Sequence, residues 1–114
     1  MSYVKNFSGQ TLLKFENDSI KDFYGSIKYR IRDNKVFDFY GKTLFSFDSS
    51  TVKDFYGRVV LRITSNQIKE FNGTIIATYD NNYIKNFNGT ILYRLDGFFS
   101  GRDLIALFAI LFAV

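Results

Sequence analysis

Glycine returns every sixteen residues along this chain, at Gly9, Gly25, Gly41, Gly57, Gly73 and Gly89. Two places before each stands a phenylalanine: Phe7, Phe23, Phe39, Phe55, Phe71 and Phe87. Three places earlier again stands an aliphatic residue: Val4, Ile20, Val36, Val52, Ile68 and Ile84. Six copies of one unit therefore cover residues 4–99, opening VKNFSG, IKDFYG, VFDFYG, VKDFYG, IKEFNG and IKNFNG. A fixed period of this kind is the mark of a repeat array, and it sets the layout before any other property is read.

Each unit has the pattern of a β-hairpin. The fifth, IKEFNGTIIATYDNN, has a short run, an Asn72-Gly73 pair, then a second run. Asn-Gly between two such runs predicts a type I′ turn, which needs positive φ at both central residues. Tyrosine replaces the asparagine in units two to four, which leaves the turn subtype open there. Simple alternation puts Ile75, Ala77 and Tyr79 on one face and Ile76 and Thr78 on the other. It likewise groups Val59, Leu61 and Ile63 against Val60 and Arg62. Polar pairs such as Asn17-Asp18, Asp33-Asn34, Ser49-Ser50, Ser65-Asn66 and Asn81-Asn82 close the units. Aromatic residues make up 19% of the chain and proline is absent, which suits twelve uninterrupted strands of about five or six residues.

An open sheet of twelve strands leaves two edges exposed, and closing it removes both. Strands about 4.8 Å apart and tilted near 40° close at a radius of roughly 12 Å. Eight strands fill with side chains, so twelve enclose a void, and an α-helix about 10–12 Å across fits it. The chain ends on such a helix. Residues 104–114 hold no polar side chain, and Leu104, Ile105, Leu107, Phe108, Ile110, Leu111 and Phe112 supply its bulk. At about 1.5 Å per residue this segment spans roughly 17 Å, too short for a bilayer core of about 30 Å. A helix apolar on every side must be surrounded on every side, so it is read as the plug of the barrel. Ser100 or Asp103 is the expected N-cap, with Gly101 turning the chain from the rim toward the axis. The expected architecture is mainly β: one domain over 1–114, six hairpins at 4–99 and an apolar central helix at 100–114.

These hairpins, IKDFYG and IKNFNGTILYRLDG followed by an apolar tail, resemble the bacterial β-flower family. The closed twelve-stranded barrel around a C-terminal helix is similar in architecture to the tubby and phospholipid-scramblase fold. That resemblance implies a non-enzymatic module that meets anionic phospholipid or a phosphoinositide-like ligand.

Lysine follows the first aliphatic residue in five units, at Lys5, Lys21, Lys53, Lys69 and Lys85, with Phe37 the exception. Lys14, Arg30, Arg62 and Arg94 form a second partial ring, interrupted by Ser46 and Thr78. With a two-residue turn both rings face outward, where they either attract phospholipid head groups or serve as a solvated face. The acids and amides Asn6, Asp22, Asp38, Asp54, Glu70 and Asn86 fall near the rim and read as hydrogen-bonding groups across neighbouring turns. Parity sets each repeated Phe opposite its aliphatic neighbour, either in an outer belt or swung inward by a bulge. With no His and no Cys, the usual nucleophile–base pairs and thiolate or imidazole metal sites cannot be assembled. The net charge of +4 is too mild to call for nucleic acid.

The functional expectation is a non-catalytic barrel, without cofactor, metal or catalytic residue. It binds an anionic membrane surface or other anionic partner through the basic ring Lys5, Lys21, Lys53, Lys69, Lys85, Arg30, Arg62 and Arg94. The alternatives are a structural or self-associating protein, and a membrane-inserting element that uses the apolar helix. Polar residues after Met1 and the lack of a signal-peptide pattern place it in the cytoplasm, peripheral at the membrane.

Overall fold

Every unit folds as a hairpin of a short strand and a longer one. In the computed structural model, which describes residues 2–80 and 82–113, twelve strands and one helix follow in order. They are β1 (Ser2–Asn6), β2 (Thr11–Glu16), β3 (Ser19–Asp22), β4 (Ile27–Arg32), β5 (Lys35–Asp38) and β6 (Thr43–Phe47). Then come β7 (Thr51–Asp54), β8 (Val59–Thr64), β9 (Gln67–Glu70), β10 (Ile75–Asp80), β11 (Tyr83–Asn86), β12 (Ile91–Asp96) and α1 (Gly101–Phe112). Each strand pairs antiparallel with the next, and β1 pairs with β12 to close the barrel. At the closing seam Val4 lies opposite Leu95 and Lys5 opposite Arg94.

The glycine turn is not the expected type I′ turn. In unit five Gly73 donates to the Glu70 carbonyl and Glu70 to the Thr74 carbonyl. Only the glycine is left-handed, with φ 92° at Gly73; Asn72 keeps a negative φ. This is the longer hairpin loop in which a left-handed glycine forms a bulge, and it recurs in all six units with glycine φ of 85° to 92°. Tyrosine and asparagine are interchangeable before the glycine for this reason. At the opposite rim the tight turns do show paired positive φ, at Asp33-Asn34 and at Ser65-Asn66. Asn81 lies outside the described residues.

A second bulge follows three residues after each glycine. Val4 pairs with Leu13 and Lys5 with Thr11, leaving Leu12 unpaired, and Lys28, Leu44, Val60, Ile76 and Leu92 repeat the pattern. The extra residue shifts the parity of the long strand. Ile76 therefore packs on the core beside Ala77 and Tyr79, while Ile75 is turned out. Val60 joins Leu61 and Ile63 inside, and Val59, opposite the outward Lys53, leaves that face. Both corrections to simple alternation have this one cause.

Inside, Val4, Ile20, Val36, Val52, Ile68 and Ile84 form a ring with no exposed surface. Residues 105–110 of α1 are all buried, and six consecutive residues exceed one and a half helical turns, so every side of the helix is covered. Leu104, Leu111 and Phe112 are half-buried against the same core, and Val114 lies outside the described residues. Ser100 is the N-cap, its hydroxyl accepting from the Asp103 amide at 3.1 Å. The change of direction is made by Gly97, with φ 88°, whereas Gly101 is simply the first helical residue. Before the helix, Phe99 stacks edge-on against Phe15 at 5.1 Å, and Ser2 donates its hydroxyl to the Phe98 carbonyl. The molecule is a low ring, 35 × 34 × 20 Å, with the glycine turns on one rim and the tight turns on the other.

Candidate functional site

Two sets of side chains on the outside carry chemistry: the basic columns around the waist and the aromatic turns of the glycine rim. Because directly opposed strand residues share a face, the two predicted basic rings are one belt. Lys5 opposes Arg94, Lys21 opposes Lys14, and Lys69 opposes Arg62, while Lys53 opposes Ser46 and Lys85 opposes Thr78. Arg30 opposes Phe37. Like charges face one another across strands, and acidic residues at the ends of the long strands offset them.

Lys21 reaches Glu16 at 2.7 Å, Lys85 reaches Asp80 at 3.6 Å, and Lys5 reaches Asp96 at 2.6 Å. The Lys5–Asp96 pair spans the closing seam and reproduces the junction made inside the chain by Glu16 and Lys21. The hydrogen bond from Lys21 holds the Glu16 carboxyl below its ordinary range, and that from Lys5 does the same for Asp96. Where Phe37 replaces the lysine, Arg32 replaces the acid, and the guanidinium sits 5.7 Å from the Phe37 ring centre. Much of the predicted ring is thus engaged with the protein's own carboxylates. Among the described residues, Lys69, Arg30 and Lys53 make no ion pair within 4 Å, and Arg62 spends its Nε on the Phe71 carbonyl at 3.1 Å.

The predicted rim acids act inside their own turns, not across neighbouring ones. Asp54 Oδ1 accepts the backbone N–H groups of Tyr56 and Arg58, both at 2.9 Å. Asn6, Asp22, Asp38 and Asn86 repeat this bracket. The Arg58 and Tyr56 amides hold the Asp54 carboxyl below its ordinary range despite some desolvation. Glu70 makes no such bond: its extra methylene overshoots, and Asn72 takes the Thr74 amide instead at 3.1 Å.

That bracket thrusts the next two side chains into solvent. All six repeated phenylalanines are exposed, from 53% for Phe23 to 80% for Phe7, so the bulge turns none of them inward. Tyr24, Tyr40 and Tyr56 stand out further, Tyr40 at 92%, each edge-on to its own Phe at 5.3 Å. Lys14 lies over the Phe23 ring, and Arg58, whose Nε donates to Asp54 Oδ2 at 3.1 Å while its side chain stays largely exposed, lies over Tyr56. The rim is lopsided. Units two to four present Phe-Tyr pairs with Lys42 and Arg58 just past the glycine, whereas units five, six and one present Asn72, Asn88 and Ser8 with Thr74, Thr90 and Gln10. The alternative of an outer Phe belt beside the lysines, suited to an interface or a membrane surface, is the one whose geometry appears; what the column count missed is the lopsidedness, whose signal was the FYG triplet in three consecutive units.

Among the described residues no cluster of acidic side chains has the geometry of a metal site, and no helix is long and apolar enough to cross a membrane. Compared with known proteins, the chain matches no family model, no curated protein and no solved structure.

Proposed function

We propose that this protein is a non-catalytic module that seats on an anionic phospholipid surface through the aromatic and cationic sector of its glycine rim. The observation that carries the reading is the row Phe23, Tyr24, Phe39, Tyr40, Phe55 and Tyr56, exposed on adjacent turns beside Lys42 and Arg58. Aromatic rings with one apolar side and one polar tip favour the head-group layer. Basic residues near an anionic leaflet add about 1 kcal/mol each, and the overall charge of +4 supports the approach. The waist belt contributes its unpaired members, Arg30, Lys53 and Lys69, to the surrounding field, while its paired lysines contribute little.

Co-sedimentation with phosphatidylserine-containing and pure phosphatidylcholine vesicles tests this. The expected result is binding to the anionic vesicles that weakens as salt is raised. A triple variant, Tyr24→Ser, Tyr40→Ser and Tyr56→Ser, is expected to reduce it severalfold while the melting curve stays unchanged. Equal recovery on both vesicle types at every salt concentration overturns the proposal. So does a soluble oligomer that the triple variant converts to monomer, since the rim would then be a protein–protein contact.

A further inference from the structure

The tight-turn rim, opposite the aromatic sector, holds an apolar cavity of about 480 Å³ beside the start of α1. Its barrel wall is Phe47, Ile63 and Tyr79, and its helix wall is Leu104, Ile105 and Phe108. The geometry of closure explains the opening. A wall at roughly 12 Å from the axis stands about 2–4 Å further out than the 8–10 Å at which packed elements settle. The connection before the helix fills the surplus on one side, where Phe99 stacks on Phe15 and Arg102 reaches Asp18 at 3.0 Å. On the far side no residue of the connection covers the gap, and Tyr79 meets Phe108 at 5.9 Å along its edge.

The mouth of the cavity is polar, with Asn34, Ser49 and Asn66 on the turns and Asp48 and Arg102 flanking them. Both charges are already engaged. Asp48 accepts from the Ser50 and Thr51 amides at 2.9 and 2.8 Å and from the Thr51 hydroxyl at 2.9 Å, and these bonds hold its carboxyl below its ordinary range. Arg102 bridges Asp18 and Asp103 at 3.0 and 3.1 Å. Among the described residues, the Asn34 and Asn66 amides and the Tyr79 hydroxyl make no hydrogen bond within the protein. An apolar pocket of this volume with a few convergent uncharged donors and acceptors has the form of a small-molecule site.

We propose that this cavity binds a single-chain amphiphile with an uncharged polar head, of the fatty-alcohol or monoacylglycerol class. The chain lies between Ile63 and Phe108, and the head meets Asn34, Asn66 and the Tyr79 hydroxyl. A carboxylate head competes with Asp18 and Asp103 for Arg102 and faces Asp48, and an ammonium head meets only carboxylates that already accept from Arg102 or from the Ser50–Thr51 turn, so neither charged head finds an unengaged counter-charge.

The test is fluorescence titration of the full chain with N-phenyl-1-naphthylamine, followed by displacement below the critical micelle concentration. Monolauroylglycerol is expected to displace the probe at concentrations about tenfold lower than laurate or dodecylamine. Ser49→Trp fills the mouth from an exposed turn, and Ile63→Trp fills the interior; each is expected to weaken probe binding about tenfold or more. Ser49→Trp lies outside the core, so its result stands even if Ile63→Trp fails to fold. Saturable displacement with that head-group order, lost in Ser49→Trp, supports the site. Absence of saturable probe binding, wild-type binding by Ser49→Trp, or displacement by laurate at equal concentration overturns it. Vesicle binding through the glycine rim is measured separately and is expected to be unchanged in Ser49→Trp, so the two proposals fail independently.

Discussion

A single side-chain oxygen, from aspartate or asparagine, organises five of the six glycine turns, and the six natural variants of that turn already form a mutational series. Aspartate and asparagine bracket two amides and glutamate does not, so the oxygen's reach decides whether the bracket forms. Asp54→Asn, which keeps the bracket but loses the ion pair with Arg58 at 3.1 Å, is expected to lower the urea midpoint less than Asp54→Ala does, and Glu70→Asp to raise stability by about 0.5 kcal/mol by installing the missing bracket. A lower midpoint for Glu70→Asp would contradict this account. The glycine itself is needed for φ alone, because a Cβ at Gly57 meets nothing within 4 Å. Gly57→Ala is accordingly expected to cost roughly 1–2 kcal/mol in urea unfolding, and Gly57→Asn less, since asparagine tolerates left-handed φ. Acid is expected to act at the same positions. The Asp48, Asp54, Asp96 and Glu16 carboxyls are held below their ordinary range in the folded state. The folded protein therefore binds protons less readily than the unfolded chain. Their stabilising effect is complete above about pH 4 to 5 and is lost as pH falls through the lower folded values. A melting temperature that is flat from neutrality to about pH 5 and then declines is the expected profile; a decline beginning near pH 7 contradicts it.

At the level of the element, the helix has little choice of place. Leu107 has no exposed surface, and Leu107→Ala is expected to destabilise by about 3 kcal/mol, whereas Leu111→Ala, at the half-buried end, costs clearly less. Equal losses would mean that the helix is not gripped along its middle. The hairpin junctions offer a subtler comparison. Arg32 and Phe37 stand where other junctions carry an acid and a lysine, so Arg32→Asp with Phe37→Lys recreates the Glu16–Lys21 arrangement. A double-mutant cycle on this exposed pair is expected to give a favourable coupling of about 0.5 kcal/mol. The same elements mark how far the linear pattern could be read. Period, closure and the buried helix were legible because each is set by a repeated residue type or by a long apolar run. The turn subtype and the face of Ile76 were not. Both depend on bulges, which alter pairing by one residue without altering composition, so parity misassigned Ile75, Ile76, Val59 and Val60. The basic columns were legible as columns, but the pairing of Lys5 with Asp96 joins the first unit to the last, and only closure brings those residues together.

The whole molecule is a shallow ring with unlike rims, and that polarity is what the proposed function requires. One rim carries aromatic side chains and cations over half its circumference; the other carries polar turns around an apolar mouth. A ring 35 Å wide and 20 Å deep resting on a flat surface presents one rim to it and holds the other well above it. Orientation is therefore a sharper test than affinity. The chain has no cysteine, so one introduced thiol reports one position. Tyr40→Cys lies in the aromatic sector, Asn88→Cys on the neutral half of the same rim, and Ser49→Cys on the opposite rim. Each side chain is exposed, and labelling with an environment-sensitive fluorophore leaves the core untouched. On phosphatidylserine vesicles the label at position 40 is expected to shift to shorter wavelength, as it leaves water for the head-group layer. The label at 49 is expected not to move, and the label at 88 to move less than that at 40, because the ring tilts onto its aromatic half. Raising salt should reverse the shift at 40, since the cations beside it supply the attraction and the aromatics alone do not hold the ring in place. Equal shifts at 40 and 49 would describe a protein that coats vesicles without orientation, and attachment through the aromatic sector would then be wrong.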